Sequence, residues 1–462
     1  MRSSTRNISQ LAWVSGICLF LASGEARAAT YYVSPSGSST NPGTLAAPWS
    51  IRHAAGSAPV SPGDIVIILD GIYAEGELYF NKSGTQQNPV IYRAQNKHQA
   101  EIRSTSTNMA ISISASWVTL EGIRLTSGSS APPQFASSVG IRCWETNKPS
   151  PSNPSTGNVG CTVRDVRIDD MPNMNIGFKS NQDYALVENS EIRMGIEALN
   201  NFGTVIRNNI AYSKVNGYQS AGIFGKGGVR DMQIHGNIVH IMKPDDMGII
   251  LGGYTGDPWI YARPNVPQIE AYNSVAHDNV VINEASQINA PALGMMGAQD
   301  SAFFNNIVIG GQIWMEQVDT HASAVNPTWK NNIIHCRGGA ATRGAAVGYS
   351  YNHGFQYTGT LSLDYNHFFD CVSGVPSQAH PITGDPKFVN LASDWHLQAG
   401  SPALGSGIPA AFTGYTGAAI DVSKDFTGTT RTVPWDLGIY DTGSAPPMDS
   451  RTPDRPRVLR VR

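Results

Sequence analysis

The sequence predicts an all-β protein: a right-handed parallel β-helix, a solenoid of stacked coils with an N-terminal cap and an asparagine ladder. Three observations predict it. Short runs of Val, Ile and aromatic residues alternate with Gly, Asn, Asp and Ser, and stretches rich in Ala, Leu, Glu and Lys are nearly absent. A strand–Asn–strand motif recurs, as in Val205-Ile206-Arg207-Asn208-Asn209-Ile210, Phe303-Phe304-Asn305-Asn306-Ile307-Val308 and Trp329-Lys330-Asn331-Asn332-Ile333-Ile334. From Val166 through Ser190, Asn209, Asn237, Asn279, Asn306 and Asn332 to Asn366 the aligned positions are spaced by 24, 19, 28, 42, 27, 26 and 34 residues. That spacing is short for a propeller blade and lacks the leucine lattice of a leucine-rich repeat, so a coil of two or three short strands fits it.

The elements follow in order. Residues 1–28 read as a cleavable signal peptide: Arg2 and Arg6 precede the apolar Leu11–Ala22, and Ala26-Arg27-Ala28 fits the small-x-small cleavage rule. The expected location is secreted or periplasmic. No other apolar run is long enough to span a membrane. Residues 29–64 read as the cap, with Tyr31-Tyr32-Val33 as its strand and a short helix near Trp49–Ala58 covering the first coil. Residues 65–442 carry the coils, and the Pro- and Arg-rich stretch 443–462 reads as a disordered tail. Residues 127–160 and 254–272 interrupt the repeat and are expected to protrude as loops.

Four cysteines remain after processing, and an even count in an exported chain reads as two disulfides. Of three pairings, Cys143–Cys161 with Cys336–Cys371 is preferred because it closes two insertions locally. The formal charge is −3, and removing a segment of net +2 leaves the mature chain near −5. That argues against a nucleic-acid binder. It allows an acidic polysaccharide partner, because a local basic cleft can sit on an acidic protein.

Coils stack at about 4.8 Å. Asn tolerates the left-handed conformation that a tight bend requires. Stacked amides can bond to one another, and the apolar residues beside each Asn would fill the tube. The opening, Asn41-Pro42-Gly43-Thr44 with Pro62-Gly63-Asp64, and the closing Asp385-Pro386-Lys387-Phe388, Trp395-His396-Leu397 and Asp436-Leu437-Gly438-Ile439-Tyr440 resemble the secreted bacterial β-helix proteins of the pectate-lyase-like superfamily. The resemblance covers roughly residues 30–442 and implies the fold more specifically than the activity. This architecture hosts lyases, hydrolases, epimerases and non-catalytic proteins.

Candidate site residues come from the ladder used as a ruler. Lys226 lies 11 residues before Asn237, Lys179 lies 11 before Ser190, and Ala198 lies 11 before Asn209. This register puts Lys179 and Lys226 on one face, two coils and about 10 Å apart, beside Glu197 and Asn200. Gly222, Gly225, Gly227 and Gly228 around Lys226, with Gly248, Gly252 and Gly253 in the next coil, read as a bare surface for a polymer. The resemblance implies a lysine that takes the proton beside a uronate carboxylate. Lys226 is the expected base, and Lys179 and Arg230 supply the neutralising charge. A solvated surface lysine is the alternative reading of Lys226. A second column, two residues before each ladder position, brings Arg207, His235 and His277 toward an anionic chain. Tyr254 and Trp259 are candidates for stacking on sugar rings. Calcium is a candidate cofactor through Asp169-Asp170 or Asp245-Asp246, although paired carboxylates on turns also serve as turn residues.

The expected function is a polysaccharide lyase cleaving an acidic, uronate-containing glycan by β-elimination, acting as a monomer. The alternatives are a glycoside hydrolase or epimerase using carboxylates such as Glu197, Asp245 and Asp246, and a non-catalytic carbohydrate-binding or surface protein.

Overall fold

The computed structural model describes residues 28–134, 138–144, 158–213, 221–253, 255, 269–285, 289–316, 323–342 and 356–442. Within them the chain winds as a right-handed parallel β-helix. Three long parallel sheets, of twelve, eleven and nine strands, run the length of the stack, with a shorter five-stranded parallel sheet alongside. One turn shows the winding: Ile196–Leu199 lies in the nine-stranded sheet, Val205–Arg207 in the twelve-stranded, Ile210–Tyr212 in the eleven-stranded, and Ala221–Lys226 returns to the nine-stranded. Alternate residues point inward. The interior column of the nine-stranded sheet reads Ile111, Ile141, Phe178, Ile196, Ile223, Ile249, Leu293 and Ile313, all buried. Full burial of one such side chain stabilises by about 1.5–3 kcal/mol.

The cap forms as expected. Thr30–Val33 pairs in parallel with Ile65–Ile68, and the helix Ile51–Gly56 starts at Ser50, whose side chain accepts the His53 N–H. Tyr92 Oη donates to the Ala54 carbonyl at 3.1 Å, tying helix to coil. Gly43 sits at φ 78°, and a Cβ there would come within 2.4 Å of the Trp49 ring.

The ladder runs through Asn209, Asn237, Asn279, Asn306, Asn332 and Asn366. Each Nδ2 donates to the next Oδ1 at 2.8–3.1 Å, and each of those Oδ1 atoms also accepts the backbone N–H of the preceding ladder residue. Gln378 Oε1 closes the far end on the Asn366 N–H at 3.0 Å. The structure separates two jobs that the sequence reading combined. The left-handed residue is the one before the ladder position (Asn189, Asn208, Gly236, Asp278, Asn305, Asn331), and the ladder amide follows it. Asn279→Ala is therefore expected to be among the costlier polar substitutions. It strips the acceptor from the buried Asn237 N–H and a donor from the buried Ile234 carbonyl, while Asn237 Nδ2 keeps the Ile206 and His235 carbonyls. Each orphaned group costs about 1–3 kcal/mol, read as a lower urea midpoint at unchanged slope.

Residues 385–441 add no further coil. They form two antiparallel hairpins, Phe388–Asn390 with Asp394–Leu397 and Phe412–Thr413 with Ala419–Ile420, and fold back along the outside of the stack. Trp395, Ala403, Leu437, Ile439 and Tyr440 cover Val280, Ile282, Ile307, Ile309 and Ile333. Of each apolar triplet after a ladder Asn, only the middle residue (Val281, Val308, Ile334) faces the tube. Its neighbours face this strap, which corrects the expectation that all of them fill the interior. Strands covered on both faces read as continuous apolar runs. The two disulfides pair as preferred, Cys143 with Cys161 and Cys336 with Cys371. No helix among the described residues is long and apolar enough to cross a membrane.

Candidate functional site

The outward column of the nine-stranded sheet runs Tyr79, Ser112, Arg142, Lys179, Glu197, Phe224, Ile250, Gly294 and Trp314. Most of it is apolar or small, but three successive coils put Arg142, Lys179 and Glu197 side by side. Lys179 Nζ lies 2.7 Å from Glu197 Oε1, with side chains 10% and 2% exposed. Burial holds the Lys179 ammonium pKa below its ordinary value. Glu197 opposes that shift, while the charges of Lys226 and Arg142 add to it. The Arg142 guanidinium lies 3.2 Å from the centroid of the Trp144 ring, and burial lowers its pKa to about 10.

Lys226 belongs to this face but not to the column of Lys179. It pairs with Leu199, and Glu197 pairs with Phe224, so Lys226 emerges two residues further along. The ruler slipped because the stretch from this column to the ladder lengthens by one residue per coil. Lys179 to Ser190, Glu197 to Asn209 and Phe224 to Asn237 span eleven, twelve and thirteen residues. The Lys226 ammonium stands 4.8 Å from the Phe224 ring centroid, and its stem lies against Gly253, where a Cβ would come within 3.3 Å of Lys226 Cδ. Arg230 follows in the five-stranded sheet, 6.0 Å from the Phe202 ring centroid.

The glycines around Lys226 do not make a bare surface. A Cβ at Gly222 would lie 2.2 Å from Val239 Cγ1, at Gly225 2.2 Å from Met232 Sδ, and at Gly248 2.2 Å from the Ala292 carbonyl oxygen. Gly222 and Gly225 point into the tube, where the sheets approach too closely for a side chain.

The second column has the expected register, Glu188, Arg207, His235, His277, Phe304 and Lys330. Its surroundings differ from an open cationic strip. Arg207 Nε and Nη2 both reach Glu188 Oε2, at 2.9 and 2.7 Å. His235 and His277 stack at 4.9 Å, and His277 Nδ1 lies 2.7 Å from Asp278, which Arg431 of the strap also contacts. Burial, His277 and Arg207 push the His235 pKa down to about 3. The unfolded chain therefore takes up a proton there as pH falls below 6.5, and the folded chain does not until about 3. Stability is present above 6.5 and drains away across that window. His235→Phe is expected to flatten the stability–pH curve between those limits, measured by urea titrations at stepped pH.

Asp169 accepts from Arg124 on Oδ2 and from Arg167 on Oδ1, and Asp245 accepts from Asn289 at 2.9 Å. No group of three His, Cys, Asp or Glu side chains suited to a metal occurs among the described residues. Tyr254 and Trp259 lie outside the described residues. Arg142 and Trp144 went unread because they flank Cys143 at the mouth of an insertion. The structural register reveals the first of them, since Cys143 pairs with Ser180 and so aligns Arg142 with Lys179.

The three parallel sheets, the ladder and the cap define a right-handed parallel β-helix. A family model described as the Pel9A-like, right-handed β-helix region matches residues 31–156. No curated protein matches the chain. Among solved structures, XylC in complex with xylose is 10% identical, covering 90% of this chain and 99% of its own, at a TM-score of 0.50. The GH136 lacto-N-biosidase from Eubacterium ramulus is 11% identical, covering 76% and 68%, at 0.49. Pectate lyase Pel9A is 14% identical, covering 89% and 96%, at 0.44. At these identities the likeness is one of fold.

Proposed function

We propose that the protein is an exported polysaccharide lyase that cleaves an acidic, uronate-containing glycan by β-elimination on the outer face of the nine-stranded sheet. One observation carries the reading. Arg142, Lys179 and Lys226 gather beside Glu197, with Glu77 also acting on Arg142, so three basic side chains share one face of a chain that is acidic overall. Burial strengthens a charge's field on a bound ligand. A uronate carboxylate placed there is partly neutralised, which acidifies the hydrogen on the carbon that bears it. Lys226, half-buried at the edge of the cluster, takes that proton in its neutral amine form and so becomes the ammonium. The C–O bond to the neighbouring sugar breaks, a carbon–carbon double bond forms, and the leaving oxygen takes a proton from water. Lys179 and Arg142 contribute as held cations, and Arg230 flanks the base. Two disulfides accord with an oxidising, extracytoplasmic location.

The hydrolase reading needs two cooperating carboxylates. Glu197 is engaged by Lys179, and Asp246 lies four residues before Ile250 in the Glu197 column, roughly 13 Å along the strand. Incubating the mature protein with a panel of uronate polymers tests the proposal. Ultraviolet absorbance from unsaturated product ends is the expected result. New reducing ends without that absorbance would indicate hydrolysis, and retention of polymer without either would indicate a binding protein.

A further inference from the structure

Just before the twelve-stranded sheet, successive coils turn through a residue in the left-handed conformation. Successive coils stack these residues: the N–H of one bonds to the carbonyl just before the next. The column reads Trp117, Gly160, Tyr184, Gly203, Asp231, Asn273, Asp300, Asn326 and Gly359, with φ between 41° and 75°. Seven of these nine are Gly, Asp or Asn, for which the conformation costs little. Two are large aromatics, for which it is strained. Each aromatic is followed by a glycine in the next coil. A Cβ at Gly160 would come within 2.2 Å of the Trp117 ring, and one at Gly203 within 2.9 Å of Tyr184. The rings therefore lie across the neighbouring coil. Tyr184 remains 51% exposed and meets Phe202 edge-on at 5.4 Å, and Arg230 stands beyond Phe202. A large exposed ring kept in a strained backbone conformation suggests a binding role more than a packing one.

We propose that Tyr184, with Phe202 and Arg230, forms a sugar-stacking subsite that holds one residue of the glycan beside the cationic cluster, so Tyr184 is a positioning residue. The inference rests on the proposed lyase reading for its acidic ligand. Lys226 lies between the two features, emerging from the strand two residues nearer this edge than the Lys179–Glu197 column. An aromatic face binds the apolar face of a sugar ring, and the neighbouring guanidinium serves its carboxylate or hydroxyls.

Affinity electrophoresis of the full mature chain tests this, in gels containing a uronate polymer or a neutral polysaccharide. Unfolding midpoints of the same variants are measured in parallel. Tyr184→Asn is expected to fold with equal or higher stability, because Asn accepts the turn conformation. Its polymer affinity should fall roughly three- to tenfold, and Tyr184→Phe should retain affinity. Under catalysis, KM rises while kcat holds. Unchanged retardation of Tyr184→Asn overturns the subsite, as does a drop in stability with affinity intact. If the wild-type chain is retarded by neutral but not uronate polymer and Tyr184→Asn abolishes this, the subsite stands and the acidic-glycan reading falls. If neither polymer retards the wild-type chain, both fall.

Discussion

Lys226→Ala is expected to abolish β-elimination, lowering kcat by about 10²–10⁴-fold, the range over which a positioned general base contributes. The loss should appear as missing ultraviolet absorbance with polymer retention preserved. Lys226 contributes little to the core: it is half-buried, its stem lies on Gly253, and its ammonium faces the Phe224 ring. Stability should therefore stay within about 1 kcal/mol of wild type. Lys226→Arg sharpens the test. It keeps the positive charge and the stem but replaces the base with a group that does not deprotonate. If Lys226 serves only to attract the polymer, the arginine variant remains active. If it removes the proton, both variants fail alike. Wild-type turnover in Lys226→Ala would remove this residue from the chemistry and return the assignment to Lys179, whose pKa burial already lowers.

The fold was legible because a solenoid repeats its constraints. At this corner each coil needs a left-handed bend followed by a buried amide, so an Asn-rich pair such as Asn208-Asn209, Asp278-Asn279 or Asn305-Asn306 recurs and the outward columns can be counted from it. The strap over residues 280–333 was not legible by that route. Trp395, Ala403, Leu437 and Ile439 make their contacts without a period, and they pack on residues that the alternation rule assigns to solvent. The site was half legible. Lys179, Glu197, Lys226 and Arg230 come to one region, but the count back from the ladder slides by one residue per coil, and Arg142 is hidden at an insertion. The glycines misled for a physical reason: in a narrow tube a missing side chain marks a close approach inside as readily as an open face outside.

Glu197→Gln is expected to give the largest loss of stability in the site, about 3–5 kcal/mol, because it removes one partner of a buried ion pair and leaves the other. Lys179 and Glu197 have side chains only 10% and 2% exposed, so water cannot replace the lost carboxylate. Glu197 is the group that opposes the lowering of the Lys179 pKa by burial and by Lys226 and Arg142. Without it that pKa falls further. The folded variant then releases a proton that the unfolded chain keeps until about 10.5, so the stability deficit should narrow as pH rises toward that value. Urea titrations at neutral and alkaline pH measure both effects. The paired variant Lys179→Met with Glu197→Leu separates structure from function. Replacing both charges by apolar groups of similar size is often neutral for stability, so the double variant should recover most of the loss. It should not recover activity, because the carboxylate-neutralising charge of Lys179 is gone. A double variant that is stable and fully active would show that the pair is architecture, with the chemistry resting on Lys226, Arg230 and Arg142 alone.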